Sequence, residues 1–335
     1  MRILFVWSSA EFSTWDVARG YRNALERQGC HEIKDYRLYA RMKYHADALG
    51  KKGENIDLLS RVSSENILVE ALKHRADVVF IVSAMALHPD AVWLLRQVKI
   101  RTVVLFTESP YNDAQQREFH AVYPEMTCLV NERTSATDGW GYLAHAYDHI
   151  IHVPTPATEP PCDVLLIGTL WSERIQFLEQ VDWTGINLRL IGTWVAPPLP
   201  EDSLLGKFYE EGCVRNADTP GCYASAKICL NLYRAHPTAE SLNPRAYELA
   251  ACGAFQLTDW RAEQPDVFGE SLGPSVTFTS PEELGEKIRW FLAHPQERET
   301  VARHARERVH GHTFDARATA LVTQLSGGMN GNTTR

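Results

Sequence analysis

Two doubly wound α/β domains in tandem are the fold class that this sequence predicts, and three observations carry the prediction. Short runs rich in Val, Ile, Leu and Phe alternate with amphipathic stretches through the first half; "VPTPATEPPC" (153–162), with prolines at 154, 156, 160 and 161, interrupts them; and a second alternation starts directly afterwards. Strands apolar on both faces, separated by helices, indicate mainly parallel sheets covered on both sides. Four prolines within ten residues cannot continue a helix or a central strand.

The first alternation runs through "RILFVW" (2–7), a helix over about 15–29, "HEIKDYRL" (31–38), a helical pattern near 63–75 and "DVVFIVS" (77–83). A helix near 89–97 follows, then "RTVVLFTES" (101–109), "MTCLVNE" (126–132) and "DHIIHVP" (148–154). The second runs through "DVLLIG" (163–168), a helix over about 172–180, "NLRLIG" (187–192), a helix near 219–226, "KICLNLY" (227–233) and "SVTFTS" (275–280). In "SPEEL" (280–284), Ser280 is placed to cap, Pro281 to open and Glu283 to close a capping box on a helix reaching about 293. Helices over 296–309 and 314–325 complete the pattern. The expected domains are therefore 1–155 and 156–325, with the last helix able to pack back on the first domain and a flexible tail over 326–335. Ligands of such sheets gather at the carboxyl ends of the strands.

Bulk composition narrows the function classes. The 335 residues are 44% hydrophobic and 23% charged, as in a globular protein. No apolar run approaches the roughly 20 residues needed to cross a bilayer, and "MRILFVW" reads as a buried strand rather than a leader. Seven scattered cysteines without a C-x-x-C pair suit free thiols in the cytoplasm. The net charge of −8, concentrated in the second half, disfavours non-specific adhesion to nucleic acid or anionic membranes.

The chemistry concentrates in "HPTAESLNPRAYELAACGAFQLTDW" (236–260). Asn243 is a capping residue, Pro244 suits the first helical position and Gly253 the left-handed position that ends a helix. The helix so defined opens at the ligand end of its sheet, where free N–H groups and the helix dipole favour a diphosphate. Arg245 adds a cation there. Glu248, one turn in, can accept two adjacent hydroxyls of a ribose, and Glu240, in the loop before the helix, reaches toward whatever the phosphate carries. The same spacing also arises on a solvated helix surface, so spacing alone leaves both readings open.

"ESLNPRAYELAACGAFQLTDW", the stretch "DVFGESLGPSVTFTSPEELGEKIRWFLAHPQERETVARHARERVHGHTF", "DVLLIGTLWSERIQFLE" (163–179) and "LFTESPYND" (105–113) together resemble the CgeB-like (spore maturation protein) glycosyltransferases, relatives of the retaining E-x7-E group. The resemblance spans most of residues 100–315. It implies the GT-B fold, two Rossmann-like domains facing across a cleft, with no obligatory metal and no cofactor beyond the nucleotide-sugar donor, a UDP-sugar by preference. It implies that Glu248 holds the donor ribose, that Glu240 lies near the donor sugar, that Arg174 reaches the diphosphate, and that Gly168 and Thr169, after the first strand of the domain, border the donor. This chain has Ser241 and Thr169 where the broader group usually has a glycine and an arginine.

In the first domain, Glu108 and Tyr111 of "TESPYND" follow a buried strand, and Ser8 and Ser9 open the loop "SSAEFSTW" (8–15). Both are placed to meet donor or acceptor, although Ser-Pro and Asn-Asp also form turns unaided. His88, before a proline, is either a base or a structural residue. "KDYRLYARMKYHADALGKK" (34–52) interleaves basic and aromatic residues, which suits either a solvated helix face or a nucleic-acid acceptor such as DNA with hydroxymethylated bases. The expected activity is transfer of a sugar to a hydroxyl on a glycan, a small metabolite or such a base. A non-catalytic nucleotide-sugar or glycan-binding module and a nucleotide-sugar epimerase of the same architecture are the alternatives.

Overall fold

The computed structural model describes residues 1–9, 13–50, 54–137, 139–195 and 203–327. The loop 8–15 is therefore seen only in part, and the expected tail beyond residue 327 lies outside the described residues. Two compact units emerge: one made of residues 1–144 and the chain from Phe314 onward, the other of His145–Thr313.

The first unit holds β1 (Arg2–Trp7), α1 (Ser13–Arg27), β2 (Glu32–Arg37), α2 (Leu38–Leu49), α3 (Ile56–His74), β3 (Val78–Val82), α4 (Pro89–Gln97), β4 (Arg101–Phe106), α5 (Asp113–Val122), β5 (Thr127–Val130) and β6 (Gly141–Tyr142). Its strands lie in the order β2-β1-β3-β4-β5-β6, each paired parallel to its neighbour. Strand β3 is buried along its whole length, and β1 and β4 beyond their first residues, as their runs of β-branched and aromatic residues require. The chain reverses its direction of winding between β1 and β3, so the carboxyl ends of these two strands flank the unit's natural ligand crevice.

The second unit holds β7 (Cys162–Ile167), α6 (Ser172–Glu179), β8 (Leu188–Gly192), β9 (Tyr209–Glu211), α7 (Thr219–Ala224), β10 (Ala226–Asn231), α8 (Pro244–Ala251), β11 (Gln256–Asp259), α9 (Gln264–Phe268), α10 (Gly273–Val276), β12 (Thr277–Phe278), α11 (Pro281–Ala293) and α12 (Pro295–Val309). The sheet runs β12-β11-β10-β7-β8-β9, all parallel, with its reversal between β7 and β10. The closing helix α13 (Phe314–Gly327) returns to the first unit. There Phe314 packs edge-on to Tyr21, 5.2 Å between ring centres, and Arg27 donates to Asp315 at 2.8 Å.

Capping chemistry sets several boundaries. Asn55 accepts from the Leu58 N–H at 3.0 Å to open α3, seven residues before its predicted start. Ser280 accepts from the Glu283 N–H at 3.2 Å, while the Glu283 carboxylate bonds the Thr279 N–H at 2.7 Å. The predicted strand over 148–154 is a turn instead: Asp148 accepts the Ile150 N–H on its side chain at 3.0 Å and the His152 N–H on its carbonyl at 2.8 Å. The proline-rich stretch lies inside the second unit, whose boundary falls at His145. Of the basic and aromatic residues over 34–52, Tyr36 is core, its hydroxyl bonded to the Ser63 carbonyl at 2.6 Å, whereas Tyr39 and Tyr44 are exposed.

Candidate functional site

At the carboxyl end of the second sheet, the loop after β10 leads into α8. Asn243 caps that helix, accepting the Ala246 N–H at 3.0 Å. Its amide also exchanges two bonds with the fully buried Asn231 at the end of β10, at 2.9 and 3.1 Å. The helix start is thereby fixed to the sheet at the crevice where the strand order reverses; Pro244 carries no N–H and the cap takes that of Ala246, so Arg245 carries the first N–H beyond the cap's reach. Pro244 occupies the first position and Gly253, φ +72°, follows the last turn.

Arg245, on the first turn, lies against Gly168, the residue after β7. A Cβ there would stand 3.0 and 3.1 Å from its two terminal nitrogens. Gly168 has φ +141°, a backbone that other residues rarely adopt. Its carbonyl meets Gly192 at the end of β8 so closely that a Cβ on Gly192 would lie 1.9 Å from it. Two glycines thus bring these strand ends together beneath the guanidinium.

Glu248 follows one turn into α8, its side chain only 12% exposed. Oε1 accepts from Asn216 Nδ2 at 3.3 Å and lies 3.8 Å from Nε2 of the buried His152. Tyr223 sits beside both charges: burial, then the Glu248 carboxylate, push its phenol well above the ordinary range, and Arg245 opposes them. Burial and the same carboxylate push the Cys252 thiol up to about 12.

Glu240 is half-buried in the loop before α8. The buried Glu263 fastens that loop twice, donating its N–H to the Glu240 carbonyl at 3.0 Å and accepting the Leu242 N–H at 2.6 Å. Arg174 is buried on α6, where it donates to the carbonyls of Thr169, after β7, and Leu232, after β10. It ties together the two strand ends that bound the crevice. Two further guanidiniums stack at this end, Arg234 over Trp171 at 4.9 Å and Arg261 over Tyr233 at 4.4 Å. Burial raises the Asp259 carboxyl, opposed by Arg261, 3.6 Å away.

The first unit carries its own polar cluster at the ends of β1, β3 and β4. Glu108, buried, accepts from the hydroxyls of Ser83 and of Thr107, the latter at 2.8 Å. Ser8 and Ser9 are buried after β1, and the Ser8 hydroxyl has no hydrogen-bond partner among the described residues. Tyr111 is half-buried in the turn after β4, its N–H on the Glu108 carbonyl at 2.9 Å. His88 caps α4: Nδ1 accepts the Asp90 N–H at 3.1 Å, and Asp57 and Asp90 lie 3.6 and 3.7 Å away. Capping occupies the nitrogen that a base would use.

The structure thus brings Asn243, Arg245, Glu248 and Gly168 together in the second unit, with Thr169 and Arg174 beside them, and Ser8, Ser9 and Glu108 together in the first. His152, Asn216, Tyr223, Asn231 and Glu263 were not singled out by the sequence. Only the Asn-Pro pair after β10 hinted at the company that Asn231 keeps.

Residues 174–323 match the family described as Glycosyl transferase-like. Spore protein CgeB of Bacillus subtilis is 25% identical over 174 residues, 52% of this chain and 49% of its own, so the chain matches about half the length of that relative. Among solved structures, sucrose-phosphate synthase from Thermosynechococcus elongatus superposes with a TM-score of 0.68 at 14% identity, covering 98% of this chain and 99% of its own. HepE from Anabaena, solved in complex with UDP-glucose, gives 0.65 at 14% identity, covering 98% and 100%. Both likenesses are of fold. Among the described residues, no helix is long and apolar enough to cross a membrane.

Proposed function

We propose that this CgeB-like chain of GT-B glycosyltransferase fold moves a sugar from a nucleoside diphosphate, UDP-glucose or a close analogue, to a hydroxyl-bearing acceptor. The observation that carries the reading is the convergence, within one turn of α8 at the reversal of the second sheet, of the positive end of the helix dipole, the Arg245 guanidinium and the Glu248 carboxylate beside Gly168.

The diphosphate lies at the α8 start on Arg245, whose guanidinium the absent Cβ of Gly168 lets approach the end of β7. Glu248 accepts from the ribose hydroxyls through the oxygen that Asn216 leaves open. As the glycosidic bond to the β-phosphate breaks, negative charge grows on the phosphate and the sugar becomes oxocarbenium-like. The helix dipole and a fixed guanidinium stabilise the first without reorganising, which is where a preorganised site gains most. Glu240, on a loop pinned by Glu263, stands on the side of the donor sugar. The reading includes retention of anomeric configuration and independence of divalent metal, both by resemblance. The acceptor-side groups are Ser8, Ser9, Tyr111 and Glu108 of the first unit, at the carboxyl ends of β1 and β4.

The test is UDP-glucose turnover, with and without glycan, metabolite and hydroxymethylated-DNA acceptors. Glu248→Gln is expected to weaken donor binding, and Glu240→Gln to lower turnover with binding retained. If both variants turn over like the parent, the assigned site is wrong. An isomerised sugar nucleotide formed without acceptor would replace transfer by epimerisation.

A further inference from the structure

We infer that His152 is a positioning residue that fixes the Glu248 carboxylate for the donor, an inference that rests on the proposed role of Glu248. His152 lies in the turn that the sequence misread as a strand, and its side chain is 1% exposed. The backbone sets its tautomer. The Asp148 N–H points at Nδ1, 3.3 Å away, so Nδ1 must be the lone-pair nitrogen and the proton sits on Nε2. That buried Nε2–H has no hydrogen-bond partner among the described residues, and the carboxylate paired with it is Glu248, Oε1 at 3.8 Å.

An unsatisfied donor in such a place is costly. A carboxylate rotation that shortens the gap by roughly 1 Å makes the bond at ordinary length. Asn216 donates to the same oxygen at 3.3 Å. Two donors on Oε1 turn Oε2 outward as the acceptor left for a diol, so the pair selects one carboxylate rotamer before the donor arrives. Donor binding draws the carboxylate into a geometry that His152 and Asn216 already prefer, and the ordering cost falls.

The imidazole can be split into its two functions. Asparagine at 152 keeps an acceptor where Nδ1 stood and loses the donor; glutamine keeps a donor where Nε2 stood and loses the acceptor. With UDP-glucose as the probe, His152→Asn is expected to raise KM about tenfold, the loss of one hydrogen bond to a charged group, with kcat within about twofold. His152→Gln is expected to restore KM, whatever its melting temperature. In the Glu248→Gln background, His152→Asn should add nothing, because a residue that acts through another is non-additive with it.

The opposite pattern, KM kept by asparagine and lost by glutamine, would make His152 a loop anchor only and overturn the inference. So would additivity of His152→Asn and Glu248→Gln. If Glu248→Gln alone leaves KM unchanged, the ribose role of Glu248 falls and this inference falls with it. A Glu248 effect without a His152→Asn effect overturns this inference and leaves the proposed function standing.

Discussion

Asn243 joins the stability of the second unit to its affinity for a diphosphate, and the two can be separated by substitution. Its Oδ1 caps α8 at 3.0 Å from the Ala246 nitrogen and also accepts from Asn231, while its Nδ2 donates back to Asn231 at 2.9 Å. Asn243→Ala removes a cap, about 1 kcal/mol, and strands both ends of the fully buried Asn231 amide, a further ~1–3 kcal/mol. A loss of about 2–4 kcal/mol is expected. Asn243→Asp keeps the capping oxygen, and its charge at the helix start returns about 0.5 kcal/mol, but its second oxygen faces the buried Asn231 acceptor that Nδ2 had satisfied, so the fold should still lose about 1–3 kcal/mol. The same charge stands at the helix start proposed to hold the diphosphate. One unit charge against another at roughly 6 Å and an effective dielectric of about 20 is worth ~3 kcal/mol, and even half of that after screening is more than a tenfold loss of UDP affinity. Urea unfolding followed by fluorescence reads the first quantity and calorimetric titration with UDP the second. A folded Asn243→Asp protein that binds UDP as tightly as the parent would refute the placement of the diphosphate, and an unchanged midpoint for Asn243→Ala would refute the coupling to Asn231.

Three further outcomes are expected. Gly192→Ala places a Cβ 1.9 Å from the Gly168 carbonyl, a backbone atom that cannot rotate away; β7 and β8 must part, at about 1–3 kcal/mol, with a lower melting temperature and weaker UDP binding by thermal shift. Gly20→Ala drives a Cβ to within 2.3 Å of the Phe314 ring, so limited proteolysis should release α13 sooner than in the parent. Asp259, raised by burial with Arg261 opposing, has a folded pKa above its unfolded value of about 4. Its contribution is full below that pH and is lost as pH rises through the folded value. Asp259→Asn, which keeps an acceptor for the Tyr233 N–H, should therefore gain in melting temperature over the parent as pH climbs from 4 to 7, and parallel curves would show that the carboxyl is not strained.

What was legible in the sequence is what local chemistry decides. Asn243-Pro244 with Gly253, and Ser280-Pro281 with Glu283, mark helix ends because capping is settled within a few residues. The strands buried on both faces announced parallel sheets by their β-branched runs. "DHIIHVP" misled because Ile150, Ile151 and Val153 imitate a strand, whereas Asp148 turns the chain and leaves Ile150 exposed. The partners of Glu248 were illegible for another reason. Asn216 comes from the loop after β9 and His152 from before β7, and no spacing rule links them to α8. Likewise Glu263 fastens the Glu240 loop from beyond β11, a contact that exists only once the sheet has formed.

The second unit is entered at His145 and left at Thr313, and these ends are stitched by a short parallel bridge between Tyr147 and Thr313, with the Tyr147 N–H on the His312 carbonyl at 3.2 Å. The second unit is therefore an insertion into the first, whose helix α13 is translated only after the inserted unit is complete. On the ribosome the usual order is inverted: the downstream unit emerges whole, while the upstream one waits with Gly20 and Tyr21 uncovered until Phe314 arrives.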